Sequence, residues 1–170
     1  MSITDTSIRN RADRHQLVAV DLYRDIHKGI RAELFSLTGS AGSLDAQDRA
    51  GRVAVADHLR SVVDTLVLHA EHEDTWIEPV LQAELPMLAT QVHEQHEALE
   101  ARMELLLELA GEAVDAPAGD ERRGVSALYL ELASFTSDYL AHQDQEERVI
   151  MPELDAAIGF EACLAIHQQI

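Results

Sequence analysis

Apolar residues recur at intervals of three and four along four long stretches of the chain, the spacing of one face of an α-helix. The first stretch runs from about Arg14 to Leu37, with Val20, Tyr23, Ile30 and Leu34 in line, and the run Thr38-Gly39-Ser40-Ala41-Gly42-Ser43 supplies its stop signal. The second begins near Ala46 or Val53, with Gly51 complicating its start, and reaches Gln82 through Val55, Leu59, Val62, Leu66, Trp76 or Ile77, and Val80. Pro86 opens the third, whose stripe of Val92, Leu99, Met103, Leu106 and Ala110 ends at Gly111. After the loop Asp115-Ala116-Pro117-Ala118-Gly119-Asp120, a fourth helix carries Val125, Leu128, Leu132, Phe135, Tyr139 and Val149 towards Pro152. Phe160 to Ile170 is expected to add a short helical tail, and the residues before about Ala12 to be mobile. No pattern supports a strand. The expected fold is all-α, an antiparallel up-down-up-down four-helix bundle with a short C-terminal helical tail, in one domain over 1–170 with a core at about 14–157.

Composition narrows the partners. The chain has 170 residues, 46% hydrophobic and 26% charged, which is the make-up of a folded protein. With 31 Asp+Glu against 13 Lys+Arg, its formal net charge of -18 repels phosphate backbones and anionic membrane surfaces, so neither nucleic acid nor membrane is expected as a partner. The single Cys163 has no internal disulfide partner, nothing resembles a signal peptide, and no stretch approaches the ~18 apolar residues of a membrane span. A cytoplasmic location is the expectation.

Against this acidic background stand nine histidines, and four of them interrupt the apolar stripes. His27 falls between Tyr23 and Ile30, and His96 between Val92 and Leu99. His69, with Glu73 four residues on, lies between Leu66 and Trp76 or Ile77; His142, with Glu146 four residues on, lies between Tyr139 and Val149. Counted from the end of the bundle that holds the link between the second and third helices, the four lie ten to fourteen residues deep, or about 15–20 Å at ~1.5 Å per residue. They share a layer. Buried imidazoles need partners on both nitrogens, and buried unpaired carboxylates cost several kcal/mol each, on the order estimated for polar burial. A pair of metal ions relieves all of them together, because neutral imidazole and carboxylate suit iron or manganese. His58 and His72 read as bystanders, and His15 and His167 as surface. Tyr23 and Tyr139, each one turn from a histidine of the layer, read as core aromatics before donors to the site.

These residues resemble the hemerythrin-like HHE cation-binding family over roughly residues 20–156. His69-Ala70-Glu71-His72-Glu73 before Trp76-Ile77-Glu78-Pro79 is similar to the family's second helix. His142-Gln143-Asp144-Gln145-Glu146-Glu147 before Val149-Ile150-Met151-Pro152 is similar to its fourth. The resemblance implies a non-haem centre of two iron ions, with His27, His69, His96 and His142 as nitrogen ligands and Glu73 and Glu146 as bridging carboxylates. The chain departs from the oxygen-carrying hemerythrins on the third helix, where those proteins have a His-x-x-x-His pair and His96 is instead followed by Glu100. Glu100 is the first candidate for a seventh ligand and His93 the second. The carriers space the carboxylate of the fourth helix five residues after histidine, which would select Glu147; the helical stripe and the bacterial members favour Glu146.

The function expected is therefore a di-iron protein that binds or senses dioxygen or nitric oxide, or handles iron. The alternative is a di-iron oxidoreductase acting as oxidase or as scavenger of peroxide or nitric oxide with a redox partner, so whether the protein is an enzyme is left open. Ferritin-like chemistry would need Glu-x-x-His pairs, which are absent. His93-Glu94-Gln95-His96 is one residue short of a zinc-protease motif, and no Cys-x-x-Cys-His exists to attach haem.

Overall fold

The computed structural model describes residues 18–170, and among them there are helices and no strands. Four long helices form the bundle: α1 (Arg24–Gly42), α2 (Arg49–Trp76), α4 (Pro86–Asp115) and α5 (Glu121–Gln145). A short α3 (Glu78–Glu84) follows α2, and α5 continues through a wide π-type turn (Glu146–Ile150) into α6 (Met151–Ile158), then α7 (Phe160–His167). Side-chain contacts fix the directions. His27 meets His69 while Glu33 meets His58, so α1 and α2 run antiparallel. Arg52 reaches Ala113 while Asp74 reaches His96, so α2 opposes α4. Gln95 pairs with Gln145 and Arg102 with Glu131, and Thr38 pairs with Thr136 while Arg31 pairs with Glu147; α5 therefore opposes both α4 and α1. The ring closes as an antiparallel bundle.

Local chemistry explains where the helices differ from the expected boundaries. The Asp21 carboxylate accepts the backbone N–H groups of Tyr23 and Arg24, satisfying donors that a helix start leaves open, so α1 begins at Arg24 instead of near Arg14. Arg14 and His15 lie outside the described residues. The Gly/Ser run does not stop α1 early, because Leu37 and Ala41 extend its buried stripe and the glycine at 42 leaves room for the Tyr129 ring. Asp48 caps α2 by accepting from the Ala50 N–H, and Gly51 sits in the first turn where a Cβ would meet both Asp48 and Leu44.

The expected single helix to Gln82 is broken at Ile77, with Pro79 opening α3. Ile77 is the inward residue at 2% exposure and Trp76 the outward one at 39%. Helix α4 passes Gly111 and ends at Asp115.

Pro152 does not end the fourth segment. A proline inside a regular helix lacks an N–H and clashes with the preceding turn. Here the turn before it is widened, with the Met151 N–H donating to the Glu146 carbonyl five residues back, and the helix resumes. The extra residue also turns Ile150 inward where the regular stripe had placed Val149. Gly159, at φ 78°, then provides the left-handed break between α6 and α7.

The core is divided. A large apolar cluster from Ile30, Leu34, Leu59, Leu66, Leu106 and Phe135 fills the bundle above the histidines. A second one, including Leu22, Ile77, Leu81, Val92, Ile150, Met151, Leu154 and Cys163, closes the end beneath them. Between the two lies a polar layer.

Two glycines test this packing. A Cβ on Gly111 would meet nothing within 4 Å, so Gly111→Ala should stabilise by up to ~1 kcal/mol through helix propensity. A Cβ on Gly124 would lie 3.2 Å from the Ala113 backbone, so Gly124→Val should destabilise by about 1–3 kcal/mol through overpacking. Urea denaturation of the two variants measures both signs.

Candidate metal centre

Each long helix delivers one histidine to the polar layer for the same reason: the position continues an apolar stripe, and the flanking turns are held in one or other core cluster. His27, His69, His96 and His142 are all buried, as are Glu73 and Glu146. The i, i+4 spacing lays His69 against Glu73, with Nε2 3.1 Å from Oε1, and His142 against Glu146, with Nε2 3.2 Å from Oε1.

Each carboxylate also reaches a histidine of another helix. The other oxygen of Glu73 is 3.3 Å from His96 Nε2, and the other oxygen of Glu146 is 3.4 Å from His27 Nε2. His27 Nε2 and His69 Nε2 are themselves 3.1 Å apart. Two groupings with metal-binding geometry result, Glu73-His96-His142-Glu146 and His27-His69-Glu73, in each of which the candidate ligand atoms lie within 4.8 Å of one another. Glu73 is common to both.

Three of the four rings are oriented from behind. His27 Nδ1 lies 3.1 Å from the Glu147 carboxylate, which also accepts from Arg31 at 2.7 Å. His96 Nδ1 is 3.1 Å from Asp74, and His142 Nδ1 is 2.8 Å from the Gln95 amide oxygen, whose own amide nitrogen donates to Gln145. Such outer partners fix the tautomer with Nε2 free to face inward, the arrangement typical of metal-bound histidine. The Nδ1 of His69 has no hydrogen-bond partner among the described residues.

All four oxygens of Glu73 and Glu146 are buried without a hydrogen-bond donor among the described residues. The chemistry of the donor set fits metal cations. Buried acceptors in this number otherwise stand as uncompensated charge, whereas four inward Nε2 atoms and four carboxylate oxygens suit borderline divalent ions.

The unevenness of the site shows in its protonation. Burial and the neighbouring histidines, against the pull of Glu73, lower His69 to about 4. Burial also works against the His96 cation, yet contacts with Glu73, Glu146 and Asp74 prevail and lift it to about 9. Burial opposes ionisation of Glu147, but His27 and Arg31 hold it down at about 2. Burial, reinforced by the charges of Glu73 and Glu146, pushes the Tyr23 and Tyr139 hydroxyls well above their ordinary range.

A family model, the Hemerythrin HHE cation binding domain, matches residues 18–158. The chain belongs to this family. A comparison with curated proteins gives no match. The hemerythrin HHE fold thus carries a buried His/Glu cluster able to hold metal, and among the described residues no helix is long and apolar enough to cross a membrane.

Of the residues expected at the site, His27, His69, Glu73, His96, His142 and Glu146 come together. Glu100 does not: it is exposed. The inward line of α4 runs Val92, His96, Leu99, Met103, which carries Glu100 past the edge of the buried face. Its companion candidate His93 is also exposed, facing Glu78 and Glu97. Glu147 stands behind His27, while Glu146 lies inside the layer at 1% exposure. His58 pairs with Glu33 at the surface side of α1.

The sequence reading missed Asp74, Gln95 and Gln145 as supports, and Gln143, which is fully buried with neither amide atom paired among the described residues. Asp74 and Gln95 were detectable in principle, since a residue next to an inward glutamate or histidine falls on the flank facing the neighbouring helix.

In protein purified without chelator, Glu73→Ala should lose most of its metal and melt at lower temperature, whereas Glu100→Gln and His58→Ala should retain both metal and melting point. Elemental analysis with thermal melts checks this.

For the metal-free protein the histidines set opposite limbs. His96, raised when folded, contributes stability below about pH 6.5 that disappears as pH climbs through 9. His69, depressed when folded, makes stability fall as pH drops from about 6.5 towards 4. Denaturation midpoints across pH 4–9 should peak between the limbs, and His96→Gln should flatten the alkaline one.

Proposed function

We propose that the chain is a non-haem di-iron protein of the hemerythrin type that binds or senses dioxygen or nitric oxide, or handles iron. The observation carrying this reading is the pair of glutamates, each set between histidines of different helices, with four carboxylate oxygens lacking any donor among the described residues. In this reading His27, His69, His96 and His142 would hold the metal through nitrogen, and Glu73, common to both groupings, and Glu146 would supply the carboxylate oxygens. Two iron ions would supply one-electron chemistry and an open coordination position for a diatomic molecule.

The protein's own contribution is preorganisation and exclusion of water. Glu147, Asp74 and Gln95 hold three imidazoles in place, so that binding need not order them. Val62, Leu66, Leu99, Leu132 and Phe135, buried in the large apolar cluster, form the dry side on which a diatomic ligand would be received. Tyr23 and Tyr139 pack their rings 5.4 Å from His27 and 5.9 Å from His142, completing the apolar surroundings.

Elemental analysis of chelator-free protein should give two irons per chain, and a fully occupied stoichiometry of one would overturn the dinuclear reading. The reduced protein should change its visible absorption on exposure to air or nitric oxide and recover when the gas is removed. Sustained consumption of dioxygen, peroxide or nitric oxide with added reductant would establish the oxidoreductase alternative in its place.

A further inference from the structure

Among the described residues, one side of the metal layer is not covered by core. Between α1, α2 and the residues around α7 lies a cavity of about 330 Å³ whose wall includes His69 and Glu73. Leu22, Ile26, Leu68 and Ile77 give it an apolar lining, and His167 and Ile170 close it from the far side. A volume near ten times the ~30 Å³ share of a water molecule exceeds what a diatomic ligand occupies and enters the range of small-molecule pockets.

The polar groups on the wall differ in availability. Asp21 is committed to the N–H groups of Tyr23 and Arg24, Asp25 pairs with Lys28, Thr65 donates to the Ser61 carbonyl, and Glu73 is turned towards the inward Nε2 atoms of His69 and His96. His69 alone among the four layer histidines has no partner on Nδ1 among the described residues, because its outer side meets this cavity instead of a neighbouring helix. With Nε2 turned to the cluster, His69 offers an occupant its Nδ1–H donor, and the exposed imidazoles of His72 and His167 line the outer part of the same wall. The three carboxylates on the same wall disfavour an anion.

We propose that this cavity is a binding site for a neutral small organic molecule, an apolar body of about six to ten heavy atoms carrying one oxygen acceptor that His69 Nδ1–H engages. This assignment rests on the ligand role given to His69 above for the direction of the donor, but the cavity itself does not depend on metal. An occupant here touches the ring that faces the metal layer and so couples an organic ligand to the centre.

Acetophenone is a suitable probe, with α-methylstyrene as a control of the same shape lacking the oxygen. In the metal-free full chain, millimolar acetophenone should shift the backbone amide resonances of Leu68, His69 and Ile77. In the iron-loaded protein, equilibrium dialysis should give acetophenone about five-fold tighter binding than α-methylstyrene, the size of one net hydrogen bond. Leu68 is half exposed at the mouth, so Leu68→Trp should weaken binding at least about ten-fold through steric filling, without lowering the melting temperature. Ile26→Trp on the opposite lip serves the same purpose should the first variant misfold. No amide shift up to saturation, or undiminished binding by both variants, overturns the site; equal affinity for the two probes overturns the His69 contact. Failure to take up iron would defeat the proposed function while leaving the amide shifts intact.

Discussion

The structure depends on one constraint: two glutamates and four histidines sit in a layer that apolar packing seals from above and below. Removing a carboxylate from water costs several kcal/mol even after relaxation, so the layer is tolerable only when positive charge balances it. Without metal, the balance falls to the imidazoles, and they share it unequally, with His96 drawn towards its cation and His69 away from it. A bound cation would remove that competition. The same seal that makes the layer expensive gives it a rigid frame, since the histidines and glutamates are flanked along their helices by buried apolar side chains such as Ile30, Leu66, Ile77, Val92, Leu99, Tyr139 and Ile150.

Much of the fold was legible because the bundle's core positions repeat at three and four, and the inward histidines sit within that repeat. Val92, His96, Leu99, Met103 and Leu106 could be read in line, and all are buried. Boundaries were harder, because they turn on single side chains: Asp21 moves the start of α1, and Leu37 and Ala41 carry it through a Gly/Ser run. Glu100 shows where spacing misleads. Four residues past an inward histidine is still inside the layer for Glu73 on α2 and for Glu146 just past α5, yet on α4 the buried face runs the other way, through Leu99. The cavity beside His69 was invisible, since it is formed by three segments distant in sequence.

The supports behind the histidines come from neighbouring helices and differ in charge. Glu147 is held ionised by Arg31 as well as His27, while His142 is backed by a neutral amide chain through Gln95 to Gln145. A carboxylate behind an imidazole makes it a stronger electron donor than an amide does. His27 and His96, each backed by a carboxylate, are thereby electronically distinct from His142, although all three turn Nε2 inward.

The wide turn at Glu146–Ile150 has a consequence for the two carboxylates at its head. Glu146 stands inside the layer against His27 and His142, while Glu147, the very next residue, stands behind His27 and is held there by Arg31. One imidazole is thereby gripped on both nitrogens by consecutive residues of a single segment. The same turn absorbs the missing N–H of Pro152, so the chain threads two acidic contacts and a proline through one unbroken helical path.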